Sequence, residues 1–292
     1  MHAQLIPSEL AEEATGALAA LLRGRVSSTP DEEHFARDWA PLWDELARDG
    51  WTAIADRGDS EFSLLDLTSF AQMWGCYLVP LPFVATLAVR RHLPAPRDPA
   101  DRLTYAVAEP EAVLVPHGPA AAAVLTGDGL AEMAALPGPA GTDAWAASAP
   151  VTILPAGLAP ADAEAARDAA ILAAAEAVGA ATEVLRRSVA YAKLREQFGQ
   201  PIGHFQAVKH RLANMHCDAE LAASAVAWAC FEPDDTPRAL RAALAGCLRV
   251  AEQAVQVHGG IGYTWEAAPH RYYRHIMAMR RIVVAGAAPE SA

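Results

Sequence analysis

The chain has 292 residues, 53% of them hydrophobic and 20% charged, with a formal net charge of −12. That length suggests about two domains and is ample for a sizeable core. The acidic balance excludes both broad phosphate neutralisation and a polybasic membrane anchor, so neither nucleic acid nor an anionic membrane is an expected partner. Alanine, close to a quarter of the residues, inflates the apolar fraction and points to a mainly helical protein. All but two of the 23 basic residues are Arg, the exceptions being Lys193 and Lys209. Cys76, Cys217, Cys230 and Cys247 lie far apart without a C-x-x-C pair, which reads as reduced thiols in a cytoplasmic protein. The first 23 residues carry Glu9, Glu12 and Glu13 and no basic start, unlike a signal peptide. No stretch reads as a membrane span.

The first zone, residues 1–95, reads as helical. Ser8 is placed to cap a helix through Leu22. Thr29-Pro30-Asp31-Glu32 looks like an N-cap followed by a first-turn Pro and Glu, opening a helix that carries Trp39, Leu42, Trp43 and Leu46 and stops at Gly50. Asp59 or Ser63 opens the next helix, with Leu64, Leu67, Phe70 and Trp74 inward; Pro80 and Pro82 end it, and a short helix reaches Arg91. The second zone, 96–158, is richer in Pro and Gly. Leu103–Val107, Ala112–Val115, Ala122–Leu125 and Val151–Leu154 read as strands in a reduced β region of four to six strands, with a turn at Gly127-Asp128-Gly129. The third zone, 159–292, reads as an antiparallel four-helix bundle. Its helices are Asp162–Lys193, Phe205–Ala229, Arg238–His258 and Ala268–Arg281. A polar loop at 195–201 separates the first two, and Gly259-Gly260 stops the third.

Most reactive-site patterns are missing. His204, His210 and His216 recur every six residues, a spacing that turns neighbours about 240° apart on a helix, so no metal site is expected. There is no G-x-S-x-G nucleophile elbow. Gly259-Gly260-Ile261-Gly262 follows a helix rather than a strand and is not a dinucleotide fingerprint.

Three segments form a recognisable set. Arg195-Glu196-Gln197-Phe198-Gly199-Gln200-Pro201-Ile202 is followed by Phe205-Gln206, and later by Gln256-Val257-His258-Gly259-Gly260-Ile261-Gly262-Tyr263-Thr264. The set resembles the C-terminal helical domain of the acyl-CoA dehydrogenase family. Leu42-Trp43 through Gly50-Trp51 and Val79-Pro80-Leu81-Pro82-Phe83 are similar to two N-terminal segments of the same family, and helical, β, helical is its domain order. The resemblance implies FAD as cofactor. It implies that Arg195 reaches the FAD pyrophosphate of a neighbouring subunit, where a planar guanidinium fork suits the anion. Phe198 would pack near the cofactor, Gln206 would serve the adenine end, and Gln256 with Gly259 and Gly260 would let backbone approach the pyrophosphate.

The family oxidises an acyl-CoA thioester at Cα–Cβ and needs a carboxylate base for the α proton. One family position for it falls in Arg281-Ile282-Val283-Val284-Ala285-Gly286-Ala287, which holds no carboxylate. The other, counted back from Arg195, falls on Ala169. The nearest candidates are Asp168, one residue off that register, and Glu266. The β region is shorter than the family's, and Trp145 is its only candidate for a flavin-ring contact. The expectation is therefore a chain with no catalytic residue of its own, the short subunit of a heteromeric, actinobacterial-type acyl-CoA dehydrogenase. A full-length partner, in a heterodimer or α2β2 heterotetramer, would supply the base, and bulky thioesters such as sterol side-chain CoA esters would be substrates. The alternatives are a stand-alone flavoprotein using Asp168 or Glu266 and a flavin-free structural or regulatory homologue.

Overall fold

The computed structural model describes residues 6–26, 30–58, 60–264 and 266–286. It is mainly helical, with a small β region between two helical units. In the N-terminal unit α1 is Glu9–Arg25, capped by the Ser8 side chain, which accepts from the Ala11 N–H. The expected single helix ending at Gly50 is two: α2, Glu32–Ala36, and α3, Ala40–Arg48. A helix cannot run through because Pro41 lacks an N–H and its ring would meet the carbonyl of Arg37. Asp31 caps α2; Thr29, the expected cap, lies outside the described residues. Gly50 follows α3 with φ +81, the left-handed conformation expected of it. Ser63 and Asp66 form a reciprocal capping box on α4, Leu64–Gly75, and α5 is Phe83–Arg90.

Arg90 fastens this unit to the β region. Its side chain is fully buried, donates to Asp56 Oδ1 at 2.9 Å, and donates to the Arg97 and Asp98 carbonyls. Trp43 Nε1 and Thr52 Oγ1 donate to the Ala100 and Pro99 carbonyls of the same connection.

Seven strands, more and shorter than expected, follow. β1 (Leu103–Tyr105) pairs parallel with β4 (Ala123–Thr126), which turns through Gly127-Asp128 into β5 (Gly129–Glu132). The second sheet runs in the order β2 (Val107–Ala108), β3 (Ala112–Pro116), β7 (Val151–Pro155), β6 (Gly141–Asp143). Ala106, Val113, Val115, Val124 and Leu154 form a small separate core.

The bundle consists of α6 (Ala163–Leu194), α7 (Gln206–Phe231), α8 (Thr236–His258) and α9 (Pro269–Gly286). Asp162 caps α6. The loop after α6 is a hairpin of β8 (Glu196–Gln197) and β9 (Gln200–Pro201). α9 extends past the expected stop at Arg281. α6 is the axis of the molecule. Between Ile171 and Ala181 every residue is buried, because alanines on all its sides let neighbouring helices close in. The closest neighbour is α4. A Cβ at Gly179 would lie 1.7 Å from the Gln72 carbonyl oxygen, and one at Gly75 would lie 2.0 Å from that of Glu176. One continuous core therefore runs from the N-terminal helices into the bundle.

This crossing makes a direct prediction. Neither Gly179→Ala nor Gly75→Ala can be accommodated by rotating a side chain, since backbone meets backbone. Each is expected to lower unfolding free energy by at least the 1–3 kcal/mol typical of overpacking. Urea titration checks it, and a change below about 0.5 kcal/mol for both would show that the helices separate freely.

Candidate cofactor-facing end and closed interior

Three segments meet at one end of the bundle. The Arg195 N–H donates to the Tyr191 carbonyl at 2.8 Å, ending α6. Tyr191 stacks on His258 with ring centroids 4.3 Å apart, so the last turn of α6 is set against the last turn of α8. α7 begins beside them. At the hairpin tip Phe198 has φ +54 and Gly199 φ +79, the two positive values a two-residue type I′ connection requires. A left-handed Phe is uncommon, and here the ring is 92% exposed. Nothing in the core rewards that arrangement. Phe205 meets the ring edge-on at 6.1 Å.

The polar groups here are free to bind. Arg195 and Gln206 are exposed and have no side-chain partner among the described residues. The Gln256 amide donates to the Tyr263 hydroxyl at 2.8 Å. Gly259 sits at φ +65, ψ −143, a region that is essentially glycine-only, and a Cβ at Gly259 or Gly260 would meet no atom within 4 Å. The surface in front of both glycines is therefore open. Phe205 caps α7 without a side-chain hydrogen bond, leaving first-turn N–H groups available to an anion. Both lysines of the chain, Lys193 and Lys209, stand here with Arg195 and Arg211 on a molecule whose net charge is −12. A groove of about 430 Å³ runs between α7 and α8, lined by His210, Arg211, Asn214, Asp218, Arg249 and Gln253. The uncapped helix start and the groove escaped sequence reasoning, although Phe at a cap position was a readable sign.

The interior at the family base position is closed. Ala169 is buried and lines a cavity of about 10 Å³ with Val84, Tyr105, His117, Glu176 and Met279. That is room for one water at most. Glu176 lies seven residues after Ala169 on the same helix face. Its Oε1 is 3.2 Å from His275 Nε2, and His275 Nδ1 is 2.8 Å from Ser148 Oγ. All three side chains are buried. This chain of contacts joins α6, α9 and the β region, and only the heptad spacing of Ala169 and Glu176 hinted at it. Val284, on the other family base position, is 49% exposed near the end of α9 and does not line the cavity.

Asp168 is a structural anion. Burial opposes its ionisation, yet hydrogen bonds from His92 and Arg91 hold its carboxyl below the usual range. Arg91 Nε lies at 3.0 Å, His92 Nε2 at 3.1 Å and Arg167 Nη1 at 3.3 Å. Glu266 is exposed. Trp145 faces outward beneath the Arg274 guanidinium, 4.8 Å from its ring centroid. Among the described residues no group of His, Cys, Asp and Glu could hold a metal ion, and no helix is long and apolar enough to cross a membrane.

Residues 163–283 match the family described as acyl-CoA dehydrogenase, C-terminal domain. The bundle is an acyl-CoA dehydrogenase C-terminal domain. Acyl-CoA dehydrogenase IpdE2 of Mycobacterium tuberculosis is 46% identical over 108 residues, 36% of this chain and 34% of that protein. The matched stretch thus spans about a third of that relative. The Tcur3481-Tcur3483 steroid ACAD shares the fold over 95% of both chains, with a TM-score of 0.75 and 24% identity. The ChsE4-ChsE5 complex from Mycobacterium tuberculosis does so over 97% of this chain and 96% of that chain, with a TM-score of 0.75 and 20% identity. The acyl-CoA dehydrogenase fold therefore extends beyond the bundle to the N-terminal helices and the β region.

His117 sits in this dehydrogenase-like interior with φ +52. Burial lowers its imidazole to about 4, with Glu176 opposing and His275 assisting. The folded state thus keeps His117 neutral while the unfolded chain takes up a proton near pH 6.5. Stability is full above that value and falls as pH drops toward 4, by about 3 kcal/mol from this group. His117→Asn, which tolerates the left-handed backbone, is expected to flatten the fall of the urea midpoint between pH 6.5 and 4.5. An unchanged slope would place the acid sensitivity elsewhere.

Proposed function

We propose that this chain is the short subunit of a heteromeric, FAD-dependent acyl-CoA dehydrogenase. It would offer the pyrophosphate and adenine side of a flavin site from its open end while a full-length subunit supplies the base and the acyl pocket. One contrast carries the reading: the interior at Ala169 has room for a single water, whereas the Arg195 hairpin, the start of α7 and the Gly259-Gly260 run are exposed and uncommitted. An enzyme complete in itself needs the opposite arrangement, with a carboxylate at a pocket wide enough for a thioester.

The residues fit FAD. Arg195 and the free N–H groups of α7 suit a pyrophosphate, and the groove between α7 and α8 has the volume of a nucleoside-sized site. Phe198 presents a flat apolar face beyond the chain's own surface. Gln206 and Gln256 flank the two ends of the groove and supply amides. The flavin, when bound, accepts the hydride from Cβ of the thioester. The work of this chain is to hold and orient the cofactor. Asp168 is tied to three cations and Glu266 is exposed, so neither is placed as a base, which argues against a stand-alone flavoprotein. A flavin-free homologue would leave the strained Phe198 turn without a use. The steroid ACAD and the two-protein ChsE4-ChsE5 complex that share the fold support a heteromeric partner and a bulky, sterol-derived acyl-CoA as substrate.

Co-expression with the full-length subunit is expected to yield a yellow complex, while the lone chain purifies without flavin. Stoichiometric FAD in the well-folded lone chain would overturn the reading. In the complex, Arg195→Ala removes a charge-assisted contact worth about 1.5–3 kcal/mol, so FAD affinity should fall about ten- to a hundredfold. Arg195→Lys, keeping charge without the fork, should fall between. Unchanged affinity in both would reduce Arg195 to a loop residue.

Turnover gives an independent check. Glu266→Gln should leave it within a few-fold of the parent, whereas loss of a general base costs about a hundredfold or more. Asp168→Asn is expected to lower thermal stability through its three cations. Among molecules that remain folded and flavin-loaded, it should leave turnover within the same few-fold range.

A further inference from the structure

On α7 the residues His210, Asn214, Cys217, Leu221, Ser224, Trp228 and Phe231 alternate in steps of four and three, and all seven are exposed. Steps of four and three are the spacing by which a helix meets another helix along a continuous seam. The helix already has its bundle-facing stripe, Met215, Ala219, Ala222, Val226 and Ala229, so the exposed seam is a second apolar edge. Leu221 is 68% exposed and Trp228 43%. These are large apolar side chains in a row on the outside of the protein, a pattern that marks an interaction surface.

We propose that this seam packs antiparallel against the same seam of a second copy of the chain. The order of residues is what selects this occupant. The steps are symmetric about Leu221, so a two-fold axis there sets Leu221 on its own copy, Cys217 opposite Ser224, Asn214 opposite Trp228 and His210 opposite Phe231. A two-fold interface requires this kind of self-complementarity. The charges agree at the ends. Arg211 flanks the seam near its start and Glu232 near its finish on the same side, and antiparallel pairing brings each beside the other's copy. Both are exposed and have no side-chain ion pair among the described residues.

The polar groups along the seam are ready to lose water. Trp228 Nε1 donates to Asp235 Oδ2 at 3.0 Å, which leaves the indole face for the partner. Ser224 Oγ donates to the Glu220 carbonyl within its own helix at 2.9 Å. Asn214 is the polar seam residue that fixes register. Glu220 flanks the axis in both copies, and His216, 3.8 Å from it, is the neighbouring group that meets this charge. The inference goes beyond the flavin reading and does not depend on it. In a heteromeric enzyme it joins two short subunits across the centre of an α2β2 assembly.

The test is a cysteine in register. Ser224→Cys faces the native Cys217 of the second copy, whereas Cys217 and its own copy stand about 12 Å apart along the helices. Copper-catalysed oxidation of the Ser224→Cys protein, alone or in its complex, is expected to give a short-chain dimer on a non-reducing gel, and the parent protein is expected to give none. No crosslink, or a crosslink to the full-length subunit, would overturn the proposal. As a second measurement, Leu221→Glu should halve the mass of the assembly by light scattering while the flavin content per short chain stays unchanged. An unchanged mass, or loss of the full-length subunit and flavin, would also overturn it.

Discussion

Backbone-to-backbone contact between α4 and α6 sets the geometry of the whole molecule. Gly179 lies against the Gln72 carbonyl and Gly75 against that of Glu176, so the two helices approach as closely as helices can. The approach depends on composition: a run of alanine and glycine on α6 leaves little side chain to hold neighbours away. Dispersion contacts are individually small and fall steeply with separation, so close approach of many small residues gives as good a core as fewer large ones spaced further apart. It also fuses the N-terminal helices to the bundle, and Arg90 extends the fusion into the β region.

With α6 enclosed, the interior and the ends of the bundle have different properties. In the middle every polar group is accounted for locally: Asp168 by Arg91, His92 and Arg167, Glu176 by His275, and His275 by Ser148. Such groups are expensive to bury and stay only because their partners are built in, which leaves nothing for a substrate. At the hairpin end the reverse holds. An arginine, two glutamine side chains, an unusual left-handed phenylalanine and an uncapped helix start are all turned outward. A backbone strained at an exposed tip is retained where its use lies outside the chain.

Much of this was legible in the sequence. The caps at Ser8, Ser63 and Asp162, the stops at Gly50 and Gly259 and the four long helices follow from local chemistry, and local chemistry is what one sequence shows best. The motif from Arg195 to Gln206 and the run from Gln256 to Gly262 were readable because spacing along the chain is preserved in the fold. The misses are of a different kind. The break at Arg37 was hidden by good apolar spacing on both sides of Pro41. The closure of the interior around Ala169 depends on Ser148, Glu176 and His275, which are far apart in sequence, and no periodicity links them. The α7 seam was in plain view as a pattern, but it becomes informative only once Met215, Ala219 and Val226 are known to occupy the bundle side.

The short β region and the closed cavity are two consequences of one arrangement. Strands of two to five residues cannot form a deep wall, so α9 comes down onto them directly. Arg281 of α9 pairs with Glu109 at 3.0 Å and Asp143 at 2.8 Å, and Ser148 reaches His275 from the β side. Met279 and Ile282, on the same helix, are thereby brought to the cavity beside Ala169. A longer β region would push α9 outward and open the space that a thioester needs. A carboxylate placed at Ala169 alone would therefore gain no access to substrate: it would be one more buried anion in need of a partner. Restoring a reaction to this interior requires the wall and the base together, and changing either one first costs stability with no chemistry in return.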